Sequence, residues 1–172
     1  SEIFSIQKPI LAQFADINND HDPDLITIIS DSLSNYLVIY KNFDNRFVES
    51  NKIDLAQFIK VRTPKNINTY DYDNDGDLDI ELLYYYGEGP EAGKVLLLKN
   101  NLWGSYFEAD TSLYQVAKGW NNSSLFADFD GDNINEYFLF TMWRTNKFLI
   151  KENDQWTDKT IERFSTIPKF EI

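Results

Sequence analysis

The chain has 172 residues, 42% hydrophobic and 16% aromatic, enough for the core of one domain or one repeat array. Its formal net charge of −12, from 28 acids against 16 Lys and Arg, argues against a nucleic acid or an anionic membrane surface as partner. No apolar run reaches the length of a membrane span, and the absence of Cys excludes disulfides and thiol catalysis.

The stretch before Pro9 carries no signal-peptide pattern and no initiating Met, which fits a processed or excised chain. From there the apolar residues alternate with a period of two, in short runs rich in Ile, Val, Leu, Phe and Tyr bounded by Asn, Asp, Gly and Ser. Strands are expected at Ile10–Ala15, Asp24–Ser30, Asn35–Lys41 and Arg46–Ser50. A second set follows at Asn66–Tyr70, Asp79–Tyr86, Lys94–Lys99 and Ser105–Ala109. A third occupies Ser123–Ala127, Glu136–Thr141, Lys147–Lys151 and Gln155–Asp158. Between the sets, Ile53–Lys60 and Leu113–Lys118 are the only stretches that suit short helical turns, with strand or loop as the alternatives.

Each set opens on the same device. "FADINNDHDPDLITI" runs from Phe14, "TYDYDNDGDLDIELL" from Thr69 and "FADFDGDNINEYFLF" from Phe126, with their first aspartates 55 and 57 residues apart. A second signature follows in register: "VIYKNFDNRF" from Val38, "LLLKNNLWGSYF" from Leu96 and "FLIKENDQW" from Phe148. Two signatures in register mark three repeats, and four strands per unit describe a β-propeller blade. The expectation is an all-β chain of three four-stranded antiparallel blades, at about 10–60, 64–118 and 121–160. Residues 161–172 would enter a further blade or close back as a strand. Three blades are fewer than the four to eight of closed propellers, so the chain is expected to form part of a larger propeller.

The acidic loop lies between the first and second strands of each unit. Aligned, the loops read "DINNDHDPD", "DYDNDGDLD" and "DFDGDNINE". Positions one, three, five and nine are Asp16, Asn18, Asp20 and Asp24 in loop one. In loop two they are Asp71, Asp73, Asp75 and Asp79, and in loop three Asp128, Asp130, Asp132 and Glu136. All twelve bear side-chain oxygen, the donor that a hard cation such as Ca²⁺ requires six to eight times over. Position seven (Asp22, Asp77, Ile134) varies in type and would contribute its main-chain carbonyl. Position six should turn through positive φ, which suits Gly76, is tolerated by Asn133 and is least comfortable for His21. An EF-hand is excluded, because its twelfth position needs a bidentate Glu and here falls on Thr27, Leu82 or Leu139, inside a strand. A merely solvated acidic turn explains one loop, but not three in register holding nearly half of all the acids. Three Ca²⁺ ions would halve the net charge.

These residues, "FADFDGD", "YDYDNDGDLDI" and "FADINNDHDPDLI", each followed by an "LYKN…F"-like stretch, resemble the FG-GAP/VCBS repeats of integrin-type β-propellers. The resemblance covers nearly the whole chain. It implies a loop that binds Ca²⁺ on the blade and a propeller serving as an extracellular recognition or adhesion scaffold. No Phe-Gly or Gly-Ala-Pro string occurs, so the likeness is to the VCBS-type variant. Loop two matches throughout, loop three departs at Asn133 and Asn135, and loop one departs at Asn18, His21 and Pro23. The affinities are accordingly expected to fall from loop two to loop three to loop one.

Enzyme chemistry finds few residues to carry it. His21, the single His, reads as a turn residue, and "YGEGPEAGK" lacks the context of a phosphate loop and reads as a hairpin tip. Paired carboxylates are better assigned to metal than to glycoside hydrolysis. Trp156 aligns with Phe47 and Phe107 and is expected in the core. Trp103, Trp120, Trp143 and Tyr84–Tyr86 are candidate ligand platforms, with Trp143 and Arg144 the best exposed pair. "NNSS" places glycosylation sequons at Asn121 and Asn122, meaningful in a secreted eukaryotic protein. The expectation is therefore a non-enzymatic, calcium-binding blade segment outside the cell, with a protein or glycan ligand and further blades as partners. Its rival is an accessory carbohydrate-binding domain of a polysaccharide-degrading enzyme.

Overall fold

A computed structural model describes residues 8–59, 63–84, 93–101, 103–114, 116–117, 121–142, 145–153 and 155–164. Among these residues twelve strands form three separate four-stranded sheets, each an antiparallel meander in chain order. Sheet one holds β1 (Pro9–Ala15), β2 (Asp24–Ser30), β3 (Asn35–Phe43) and β4 (Arg46–Asp54). Sheet two holds β5 (Asn66–Tyr70), β6 (Asp79–Leu83), β7 (Val95–Asn101) and β8 (Tyr106–Asp110). Sheet three holds β9 (Asn121–Ala127), β10 (Glu136–Thr141), β11 (Lys147–Glu152) and β12 (Gln155–Asp158).

The three expected repeats are thus three sheets, and the differences lie at the edges. β4 runs on to Asp54, so the turn expected over 53–60 shrinks to a 3₁₀ turn at Leu55–Gln57, capped by the Asp54 carboxylate on Ala56 N. The second such turn covers Ser112–Tyr114. β6 ends at Leu83, short of the expected Tyr86, and Tyr85, Tyr86 and the hairpin tip lie outside the described residues. At the far end Thr160–Arg163 winds into one helical turn, α1, where a strand or blade entry was expected. Residues 165–172 lie outside the description.

Period two explains how the sheets stack. Ile26, Ile28, Leu37 and Ile39 point from sheet one into a core shared with Ile80, Leu82, Leu96 and Leu98 of sheet two. The intervening residues of sheet two, Leu83, Val95 and Leu97, face the other way and pack on Tyr137, Leu139, Leu149 and Trp156 of sheet three. The middle sheet is buried on both faces, which is why β7 opens on the continuous apolar run Val95–Leu98. Trp156 is buried as expected, its Nε1 donating to Ser112 Oγ at 3.0 Å.

One polar residue interrupts this packing. Glu81, on the face of β6 turned toward sheet three, accepts Tyr137 OH at 2.6 Å on Oε1. Its Oε2 accepts Asn68 Nδ2 at 2.7 Å and also Ser124 Oγ. A buried carboxylate is tolerated only when its lone pairs are satisfied, and here donors from both sheets satisfy them. The network fixes how sheets two and three register.

Candidate metal centres

The three nonapeptides form loops β1–β2, β5–β6 and β9–β10, and all three fold the same way. The first aspartate of each accepts backbone amides with both oxygens. Asp16 takes Asp20 N at 3.0 Å and His21 N at 2.8 Å; Asp71 takes Asp75 N at 3.0 Å and Gly76 N at 3.1 Å. Asp128 takes Asp132 N at 3.1 Å and Asn133 N at 3.0 Å. The fifth residue accepts the amide of the seventh each time, as in Asp132 Oδ1 with Ile134 N at 2.8 Å.

Two residues per loop adopt positive φ. The sixth does, as expected, at Gly76 (95°), Asn133 (67°) and, despite its Cβ, His21 (74°). The fourth does too, at Asn19 (60°), Asn74 (59°) and Gly131 (81°), which the sequence reading missed. Asn-Asn-Gly at that position was the available signal, since these residues enter the left-handed region most readily.

The ninth residue has two duties. Asp24 accepts Ile17 N at 3.2 Å and Asn42 N at 2.8 Å, and Asp79 accepts Tyr72 N at 3.1 Å and Asn100 N at 2.7 Å. Both carboxylates are buried, and both tie the loop to the third strand of their own sheet. Glu136 accepts Phe129 N at 2.7 Å, and the position equivalent to Asn42 and Asn100 is Glu152.

Convergence of the carboxylates therefore differs from loop to loop. In loop three Asp128, Asp130, Asp132 and Glu136 bring one oxygen each within 4.8 Å of one another. In loop two Asp71, Asp73 and Asp75 do so, without Asp79, whose oxygens face the two amides. Loop one forms no such group among the described residues. There Asn18 turns its Nδ2 to Asp20 Oδ2 at 2.7 Å, and the amides of Asp22 and Asn18 hold the Asp20 carboxyl below its ordinary value.

Electrostatics tests whether a cation fits. Burial, then the charge of Asp75, pushes the Asp77 carboxyl up to about 6. Burial pushes Asp79 up to about 7, against the two amides that favour its charged form. Asp73 Oδ1 and Asp77 Oδ1 are buried with no hydrogen-bond partner. Buried acceptors without donors, on carboxylates already repelling one another, fit a hard cation. Asp71, Asp73, Asp75 and the position-seven residue would hold it in loop two; Asp128, Asp130, Asp132 and Glu136 would hold it in loop three.

Sequence reasoning also missed the residues that join the loops. Fully buried Asn100 donates Nδ2 to Ile17 O of loop one at 2.8 Å and to Leu78 O of loop two at 3.1 Å. Asn135 donates to Asp71 O at 2.7 Å and to Asn74 Oδ1 at 3.0 Å, while Asn74 donates to Asn133 O at 2.8 Å. Cationic side chains reach the carboxylates as well. Lys99 Nζ contacts Asp73 Oδ2 and sits 3.2 Å from Asp75 Oδ2, and Arg163 Nη2 lies 2.9 Å from Asp130 Oδ2.

The surface candidates divide. Trp103 and Tyr106 are half exposed beside the β7–β8 turn, whereas Tyr84 is fully buried. Trp120, Trp143 and Arg144 lie outside the described residues. Asn121 is buried and donates to Ala117 O at 2.8 Å, so its sequon is closed to modification; Asn122 is exposed. No described helix is long and apolar enough to cross a membrane.

No curated protein and no solved structure matches the chain. A family model described as an FG-GAP-like repeat matches residues 16–80, which begin at the first aspartate of loop one and end just after the last aspartate of loop two. That span is similar to an FG-GAP-like repeat and takes in the whole of loops one and two but not loop three.

Proposed function

We propose that this chain is a calcium-binding segment of a β-propeller, working outside the cell as a recognition, adhesion or structural scaffold rather than as an enzyme. The observation that carries the reading is the convergence of Asp128, Asp130, Asp132 and Glu136 within 4.8 Å, on a loop turn repeated three times. A bound Ca²⁺ supplies charge neutralisation and a cross-link between the ends of each loop. The chain's own residues do the rest: the first aspartate closes the turn, and the ninth anchors it to the sheet.

Further blades are the partners that the outer faces suit. Sheet one turns Ile10 and Phe14 outward, and sheet three turns Phe140 outward, with Phe129 of loop three and Met142 just past β10 exposed as well. Apolar surface of this kind marks an interaction face. The glycan-binding alternative rests on the exposed pair Trp103 and Tyr106.

Thermal melts of the full chain in calcium and in chelator test the metal reading. Native-state binding adds RT ln(1 + [L]/Kd), about 2.7 kcal/mol at a hundredfold excess over Kd. Melts that coincide, with no heat of calcium binding by calorimetry, would sink it.

A further inference from the structure

A Lys-Asn or Lys-Glu pair lies at or one residue before the end of the third strand of each repeat, and the three lysines do different things. Lys41 of β3 donates to Trp103 O at 3.2 Å and forms no ion pair with loop one among the described residues, although its charge helps to hold Asp20 low. Lys151 of β11 lies over the Trp156 ring, 6.0 Å from its centroid. Lys99 of β7 alone folds onto its loop, contacting Asp73 and Asp75, with only about a third of its side chain exposed.

We propose that Lys99 is a tethered counter-cation of loop two, which a calcium ion must displace to bind there, and that it sets the affinity of this loop. The inference rests on the calcium reading above and concerns the chain's own control of that site. Asp73 and Asp75 are two of the three carboxylates that converge in loop two, so the ammonium and a metal ion compete for the same oxygens. The tether makes the competitor intramolecular and always present at high effective concentration. Its ammonium also offsets part of the repulsion among the five aspartates of this turn. Arg163 does not play the same part in loop three. It touches one carboxylate, Asp130, and half of its side chain stays in solvent.

Calcium titration of the full chain by calorimetry, wild type against Lys99→Met, tests this. The variant should bind at one site roughly twofold to fivefold more tightly, the scale of losing one partly exposed ion pair. Adding Asp71→Asn should abolish that gain, and Lys41→Met should leave that site unchanged. In chelator, Lys99→Met should melt lower than the wild type, so its calcium-induced rise in Tm is larger. Lys99→Gln, which keeps most of the stem without the charge, should repeat the affinity gain if the Met variant folds poorly. Equal or weaker calcium binding in both variants overturns the displacement and leaves the calcium reading standing. A gain of the same size from Lys41→Met reduces the effect to net charge and also overturns it. No binding by any of the proteins overturns the calcium reading and the displacement together.

Discussion

Loops two and three are built from one pattern and share one turn, yet they place their carboxylates differently. In loop two Asp79 is drawn inward to two backbone amides, and Lys99 covers Asp73 and Asp75. In loop three the longer Glu136 reaches one amide and still joins Asp128, Asp130 and Asp132 in a single group of four. The consensus match favours loop two and the convergence of carboxylates favours loop three. What separates them is the third strand behind each loop, which offers Lys99-Asn100 in one case and Lys151-Glu152 in the other. A ligand pattern describes the donors; the neighbouring strand decides how many of them face the ion.

Removing the ninth carboxylate should show the difference most strongly. Asp79→Ala strands two buried amides, Tyr72 N and Asn100 N, each costing about 1–3 kcal/mol. In chelator, where no metal effect enters, it should therefore lose roughly 2–5 kcal/mol by urea unfolding. Glu136→Ala strands one part-buried amide and should lose about 1–2 kcal/mol under the same conditions. Equal losses would break the distinction between an anchoring and a converging ninth residue.

Acidity gives a second reading of the same contrast. Asp79 and Asp77 have folded-state values near 7 and 6, above the ordinary Asp value of about 3.9. The metal-free native state thus holds these protons more tightly than the unfolded chain does. Their contribution to stability is present in full below about pH 4 and is lost as pH rises through about 6 to 7. Denaturation in chelator should show stability falling between pH 5 and pH 8, and Asp79→Asn should flatten that slope. Calcium should flatten it as well, because the bound ion favours the charged forms. A wild-type slope of the opposite sign in chelator would refute the burial argument for loop two.

Much of this architecture was legible because it rests on period and repetition. Alternation placed all twelve strands, and the spacing of Asp16, Asp71 and Asp128 placed the loops between the first and second strands of their sheets. The legible part stops where a residue acts across repeats. Asn100 is one more polar residue at a strand end until Ile17 O of the neighbouring sheet appears beside its amide. Glu81 sits in the apolar run of β6, and only the approach of Tyr137 and Ser124 from sheet three accounts for its burial. Lys99 and Lys41 occupy equivalent positions, and the longer β7–β8 turn bearing Trp103 gives Lys41 a partner away from its own loop. Each of these roles depends on stacking of whole sheets, which no local pattern encodes.

The smallest expected effect asks whether loops two and three are two sites or one pair. Asn135 and Asn74 bind each other and reach the opposite loop's backbone, Asn135 to Asp71 O and Asn74 to Asn133 O. Both contacts are near the surface, so each single alanine variant should lose only about 0.5–1.5 kcal/mol, a few degrees in Tm for a chain of this size. Because the two side chains share a hydrogen bond, their losses should not add. The double variant should fall short of the sum by about 0.5–1 kcal/mol, the coupling typical of neighbours in one network. The same clasp should make the loops respond together. Asp128→Ala, which dismantles the turn of loop three, should weaken calcium binding at loop two in the wild-type background but not beside Asn135→Ala. Strict additivity of the two asparagine variants, with loop two indifferent to Asp128, would make the loops independent and leave the asparagines as surface polar contacts.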